Sequence, residues 1–391
     1  MSRKLLLLLF VSALFILAGC SSKEDEMISA KDWQSKHPDV YATYLENSQM
    51  NATAYGGSIQ TDYLEKHPYL KEFYEGYGFS KEYLGARGHL YALEDVIASE
   101  RPKAAASCLA CKTSDFVALL NKEGIKANSL DFAATVKEDF ETISCYDCHK
   151  NEPGVVNVTR AHLTTALTAA KLEVAPGQQA CAQCHVEYYL APDTKEVILP
   201  LAKGFDTDDM LAYYDGIGYS DWVHPRTGTE LLKAQHPEFE TYQGSIHSSM
   251  GVTCVACHMP EIKGGKLESF NSHHWTSPLL SIKESCLKCH AGETEGSMTS
   301  MVENIQKGVY DKTEEVAAVI QQLITELDKA VKDGKLSKEK LDEVRELHRQ
   351  AQFKWDFVFV ENSEGFHNWE KSNKNLDEAK EIALEALDLL K

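Results

Sequence analysis

With 391 residues, 43% of them hydrophobic, the chain is long enough for about two or three ordinary domains and can bury a sizeable core. Its 40 basic and 59 acidic side chains leave a formal charge of −19, which repels nucleic acid and excludes a general anion-binding surface. An anionic ligand would have to be caught at a local positive site.

The first segment, residues 1–20, reads as a secretion signal: Arg3 and Lys4, an apolar run from Leu5 to Leu17, then "LAGC" ending at Cys20. A run of 13 residues is too short to span a bilayer comfortably. The small residues before Cys20 resemble a bacterial lipobox, which implies cleavage before the cysteine and lipidation of its thiol. The mature chain is therefore expected to be extracytoplasmic, tethered to a membrane surface through Cys20, with "SSKEDEM" as a short polar linker.

Residues 21–296 carry the chemistry. The sequence holds 11 cysteines, an odd number for a disulfide framework in an exported protein. Apart from Cys20 they fall into five C-x-x-C pairs: Cys108/Cys111, Cys145/Cys148, Cys181/Cys184, Cys254/Cys257 and Cys286/Cys289. The next residue is His149, His185, His258 or His290 in the last four, and Lys112 in the first. C-x-x-C-H is the attachment motif of c-type haem: two thioethers fix the macrocycle to a short turn and place the adjacent side chain under the iron. Structural zinc would combine such pairs in twos, which an odd number of pairs with attached histidines does not suit. Five covalent haems c are implied.

Between these motifs there is little room for layers of sheet. "LDFAATVKEDFETI" (130–143) and "VTRAHLTTALTAAKLEV" (158–174) show three-four apolar spacing and predict helices, while "GGKLESFNSHHWTSP" (264–278) reads as a loop. Residues 297–391 contain no cysteine and change to long helices, forming one globular unit with 21–296. Val316, Val319, Ile320, Leu323, Ile324, Leu327 and Val331 make one apolar stripe that ends at Gly334 as C-cap. Ser337 caps the next helix, in which Leu341, Val344, Leu347 and Ala351 continue toward Trp355. A last helix is expected from about Asn375 to Leu390. The fold class is thus mainly α, with few strands, a core packed around haems and long C-terminal helices.

Of 15 histidines, 11 remain once the four attached to motifs are removed. That is enough to give four haems a second axial ligand and leave the lysine-bearing haem open on its other face. An open position separates a catalytic metal site from a closed one. The count does not choose the residues.

One C-x-x-C-K followed by four C-x-x-C-H resembles the pentahaem cytochrome c nitrite reductases that form ammonia. "ARGHLYALEDV" around His89, "CAQCHVEYYL" at 181–190, "LLKAQHPEFETYQGSIH" ending at His247 and "ENSEGFHN" around His367 extend the resemblance over nearly the whole mature chain. It implies that Lys112 is the proximal ligand of the active haem, with Arg101, Tyr188 and His236 in the distal pocket. Arg87 is the alternative to Arg101. Distal ligands of the other haems are then His89, His247, His367 and one of His273 and His274, of which His273 better fits "HHWTSP"; His162 is a further candidate. A calcium ion is implied beside the active haem, held by the Glu187 and Gln235 side chains and the main-chain carbonyls of Tyr188 and Lys233. A homodimer through the C-terminal helices is implied too, as is an electron donor that is either a soluble multihaem cytochrome or a membrane-bound multihaem cytochrome oxidising quinol.

These groups suit the reaction the resemblance implies. Reducing nitrite to ammonium takes six electrons and eight protons and releases two waters, so electrons have to be delivered by several stacked haems. Arg101 would bind the anion through its fork of N–H donors, His236 would donate a proton to a departing oxygen, and Tyr188 would donate a hydrogen bond or proton. Competing readings are a relative that reduces hydroxylamine, nitric oxide or sulfite, and an electron-transfer cytochrome in which all five haems are six-coordinate.

Overall fold

A C-x-x-C-[HK] segment wound into one helical turn puts both cysteines and the following residue on one face, because positions i, i+3 and i+4 are neighbours there. The computed structural model of the protein, which describes residues 27–53 and 58–391, gives the four C-x-x-C-H segments such a turn and closes Cys108–Lys112 in a tighter 3-10 turn. The signal segment and Cys20 lie outside the described residues.

Helix α1 (Ser114–Glu123) begins two residues after Lys112; the Thr113 hydroxyl caps it by accepting from the Asp115 N–H at 3.0 Å. α2 (Cys145–His149) is a haem motif in itself, opened by a reciprocal Ser144–Asp147 capping box. α3 (Ala161–Ala170) is the predicted helix, stopped by Lys171 in the left-handed region at φ 56°. α4 (Pro176–Ala182) starts on a proline and leads into Cys184 and His185, and α6 (Cys254–His258) is another motif turn. Between them lies α5 (Thr207–Gly216). Among the described residues, sheet is limited to three two-stranded antiparallel ribbons: β1 (Tyr189–Leu190) with β2 (Val197–Ile198), β3 (Trp222–Val223) with β4 (Glu230–Leu231), and β5 (Glu261–Gly264) with β6 (Leu267–Asn271).

The C-terminal third is α7 (Glu295–Asp333), α8 (Lys338–Phe359) and α9 (Trp369–Leu389). At 39 residues α7 is about 58 Å long, with a Thr294–Ser297 capping box at one end and Gly334 at φ 63° at the other. Ser337 caps α8 by accepting from the Lys340 N–H. The predicted stripe is buried: Val316, Ile320, Leu323, Ile324 and Leu327 pack with Val344, Ala351 and Trp355 of α8, Leu376, Ala379 and Ala383 of α9, and Leu70, Phe73 and Tyr74 from the N-terminal part. A second core surrounds the haem motifs, with Leu109, Phe116, Leu163, Met210, Tyr214 and Phe239. α8 belongs to both, giving Phe353 and Phe357 to the haem side and Trp355 and Val358 to the helical side. Among the described residues no helix is long and apolar enough to cross a membrane.

Three expectations need correction. The helix at 130–143 is a single turn, Phe132–Thr135, after which Val136 is extended at ψ 134°. Tertiary contacts override the periodicity there: the Glu141 N–H donates to Asp115 at 2.8 Å and the Thr142 hydroxyl donates to the His89 carbonyl at 2.9 Å. The segment 264–278 is not all loop, since Leu267–Asn271 pairs with Glu261–Gly264 across a turn in which Gly264 and Gly265 have φ of 138° and 69°. The last helix begins at Trp369, capped by Asn368, before any apolar stripe is visible.

Candidate functional site

The four motif histidines each meet a second histidine. Ring centroids are 6.1 Å apart for His149 and His273, 5.8 Å for His185 and His89, 6.1 Å for His258 and His367, and 6.3 Å for His290 and His247. Two imidazoles ligating one metal from opposite sides, each nitrogen about 2 Å from it, have centroids roughly 6 Å apart, so all four pairs fit an iron between them. Where Nδ1 is fixed, Nε2 is left for the metal. His149 Nδ1 is 2.7 Å from the Val155 carbonyl, His258 Nδ1 3.0 Å from that of Thr276, and His273 Nδ1 2.9 Å from that of Asn271. His367 differs, because its Nδ1 meets the Glu361 carboxylate at 2.6 Å. Burial alone would depress this ring, but Glu361 outweighs it and pushes the ring up to about 9.

Neighbouring motifs touch. Cys111 lies beside Cys184, Cys181 beside Cys254, and Cys257 beside Cys286 and Cys289. Four motifs therefore follow one another in space as a chain leading away from Lys112.

Lys112 stands apart. It is followed by Thr113, and the His236 and His89 rings are among its electrostatic neighbours. His236 also lies 6.3 Å from the His185 ring, and its buried Nδ1 has no hydrogen-bond partner. Burial pushes its imidazole down to about 4, with Glu238 opposing and Lys112 adding to the fall. Tyr188 lies beside Cys111, Cys108 and Tyr77, and burial raises its phenol well above the usual range. The Arg101 guanidinium stacks over Phe79 at 4.1 Å and donates to the Ser99 hydroxyl at 3.3 Å; its charge acts on Tyr77 and on Lys233. Arg87 is engaged elsewhere: Glu94 at 2.8 Å, Asp95 at 2.5 Å, and the Tyr91 ring at 4.3 Å. Tyr77, stacked on Trp222 at 4.8 Å, has both Arg101 and Tyr188 as electrostatic neighbours and so links the two. Sequence reasoning missed it, as it missed Glu361, although Glu361 stands inside the quoted string "ENSEGFHN".

Beside the pocket is an excess of buried negative charge. Glu187 accepts from the Tyr214 hydroxyl at 3.0 Å and the Gln235 N–H at 2.6 Å, Glu240 accepts from the Glu187 N–H at 3.0 Å, and Asp221 accepts from the Lys233 N–H at 2.8 Å. The Gln235 amide lies against the Lys233 carbonyl at 2.9 Å. Burial pushes the Glu187 carboxyl well up, with Glu240 and Asp221 adding; it pushes Asp221 up to about 6 and Glu240 up to about 8. The Lys233 ammonium is 3.2 Å from Asp356, away from this trio's oxygens in its bonding. Buried carboxylates, an amide and carbonyls form a hard-oxygen set that suits a calcium ion. His274 and His162 are occupied otherwise: His274 Nδ1 is 3.3 Å from Glu46, and His162 Nε2 is 2.7 Å from the Gln183 carbonyl.

Helical scaffold, five attachment turns and four facing histidine pairs define a multihaem c-type cytochrome. The family pattern of cytochrome c552 matches residues 29–391, and the chain belongs to that family. Cytochrome c-552 of Bacteroides thetaiotaomicron is 33% identical over 372 residues, covering 89% of this chain and 74% of its own. Cytochrome c nitrite reductase subunit NrfA of Nitratidesulfovibrio vulgaris is 30% identical over 433 residues, covering 95% and 82%. The solved NrfA catalytic subunit of Desulfovibrio desulfuricans cytochrome c nitrite reductase, which has two calcium sites, superposes with a TM-score of 0.86 at 28% identity, over 93% of this chain and 86% of that one.

Proposed function

We infer that the protein is an ammonia-forming cytochrome c nitrite reductase. The observation that carries this is the asymmetry among the five attachment turns: four present a histidine that faces a second histidine, and the fifth presents Lys112 beside His236. The ten motif cysteines would hold haem c, which when bound would supply electron storage and transfer at the paired sites and nitrite reduction at the lysine site.

The chain's own residues do the rest. Arg101 attracts the anion toward a protein that is acidic overall, and its planar fork orients the N–O oxygens. His236, with an unpartnered Nδ1, holds a ring nitrogen ready to pass a proton to a departing oxygen. Tyr188 donates from the other side of the pocket, and Tyr77 braces it. Lys112, His149, His185, His258 and His290 would hold the haem irons from the attachment turns, and His273, His89, His367 and His247, which face the four histidines in that order, would hold them from the other side. Calcium at Glu187, Gln235 and the Tyr188 and Lys233 carbonyls would offset the buried carboxylates and raise the positive potential near nitrite.

The signal segment and Cys20 support an extracytoplasmic, lipid-anchored enzyme that takes electrons from a membrane or soluble cytochrome. A homodimer through α7–α9 belongs to this reading by resemblance alone, because the apolar stripe of these helices is buried within the chain. Haem counting by pyridine haemochrome, with nitrite reduction driven by an artificial donor, tests the whole reading. Five haems and ammonium as product are expected; a fully low-spin protein that consumes no nitrite would refute it.

A further inference from the structure

We propose that Glu361 holds the His258/His367 haem at a lower reduction potential than the chain would otherwise give it, acting as a positioning residue through His367. The inference rests on the ligand reading given above. Glu361 is 3% exposed, and its three donors are the His367 ring N–H at 2.6 Å, the Ser363 N–H at 3.2 Å and the Ser363 hydroxyl at 2.5 Å. The loop that brings these together follows α8 directly. Glu364 at φ 52° and Gly365 at φ 84° fold it back, and a Cβ on Gly365 would lie 2.6 Å from Val309, so the tight return depends on glycine.

Three other ligand rings, His149, His258 and His273, are anchored by neutral carbonyls. His185 has a carboxylate near it, but Glu238 stands 3.7 Å away, beyond a hydrogen bond. The buried Nδ1 of His89 has no partner. Glu361 is therefore distinguished by a direct, buried carboxylate–imidazole contact. Such a contact makes the ligating nitrogen a stronger donor. An acidic side chain buried against the ligand also favours the more positive, oxidised iron over the reduced one. Both effects lower the potential of that haem, which sits between the Cys181/Cys184 and Cys286/Cys289 motifs in the spatial chain. Electrons would then pass this position without resting there.

The test is potentiometric titration of the purified holoenzyme, followed by optical and paramagnetic resonance spectra. In Glu361→Gln, one midpoint potential is expected to move upward while the other four stay in place. A fully haem-loaded Glu361→Gln protein whose five potentials match those of the parent would overturn the proposal. Ser363→Ala provides a second variant with the opposite sign: loss of the hydroxyl donor concentrates charge toward His367 and should move the same potential downward. No shift in that variant would count against the proposal even if Glu361→Gln loaded haem poorly. His367→Ala separates the ligand reading, since loss of one low-spin signal supports it, and an unchanged spectrum would remove both the ligand and its tuning.

Discussion

His273 faces His149 with 6.1 Å between ring centroids, while its neighbour His274 turns the other way to Glu46 at 3.3 Å. Adjacent residues thus have different fates. His273→Ala should abolish one low-spin histidine-paired signal, and His274→Ala should leave all of them. The Glu46 pair is partly solvent-exposed, so its loss should cost under about 1 kcal/mol in thermal melts. A spectrum changed by His274→Ala alone would reverse the choice.

Lys112→His is expected to keep the Cys108/Cys111 attachment and lower nitrite turnover at least about tenfold, equivalent to about 1.4 kcal/mol of transition-state stabilisation. The measurement is kcat on protein shown to carry five haems. Full turnover in that variant would mean that the amine serves haem assembly and not the reaction.

For the anion, Arg101→Ala should raise KM for nitrite by about tenfold or more, because a hydrogen bond to a charged group contributes about 1.5–3 kcal/mol. Haem content should not change. Arg87→Ala should instead release Glu94 and Asp95 and lower the melting temperature with KM nearly intact. His236→Asn should reduce kcat more than KM, and equal kcat would end its proton-donor role.

A separate prediction concerns acid stability. His348 is fully buried, with Nδ1 2.9 Å from the Thr229 hydroxyl and Nε2 3.1 Å from the Gln352 amide oxygen, and burial pushes it down to about 3. The unfolded ring binds a proton near 6.5 and the folded ring does not, so unfolding takes up a proton. Stability from this site is full above about pH 6.5 and falls as pH drops from there toward 3. His348→Gln should flatten the acid limb of a melting-temperature profile between pH 6 and 4, measured on the holoprotein. An unchanged slope would contradict it.

Local signals carried well into the structure, and tertiary ones did not. The stripe from Val316 to Leu327 is buried as its spacing predicts, because one helix face meeting one core is a local pattern. Residues 130–143 have similar spacing, yet Asp115 and His89 claim their polar groups and leave one helical turn. Haem attachment was legible because cysteines and ligand share one turn. Their opposite partners were named only through the family resemblance and not by local spacing, since His89 is 96 residues from His185 and His273 is 124 from His149, and the fold brings such rings together. Glu361 was overlooked for a different reason: a glutamate six residues before a histidine is unremarkable until Glu364 and Gly365 reverse the chain.

The last prediction concerns calcium. Glu187, Asp221 and Glu240 are carboxyls raised by burial, the last two up to about 6 and about 8. A raised acid binds its proton more tightly folded than unfolded, so without a cation the stability these three carboxyls contribute is fullest at low pH and is lost as pH rises from about 4.5 through about 8. A bound calcium ion would stabilise the ionised forms and reverse that slope. Chelator-treated protein should therefore melt progressively lower between pH 5 and 8, and added calcium should restore the loss, most strongly at the alkaline end. Glu187→Gln should abolish the calcium response while leaving the five haems attached. A melting profile indifferent to chelator across that range would show that the buried carboxylates are managed by protons alone.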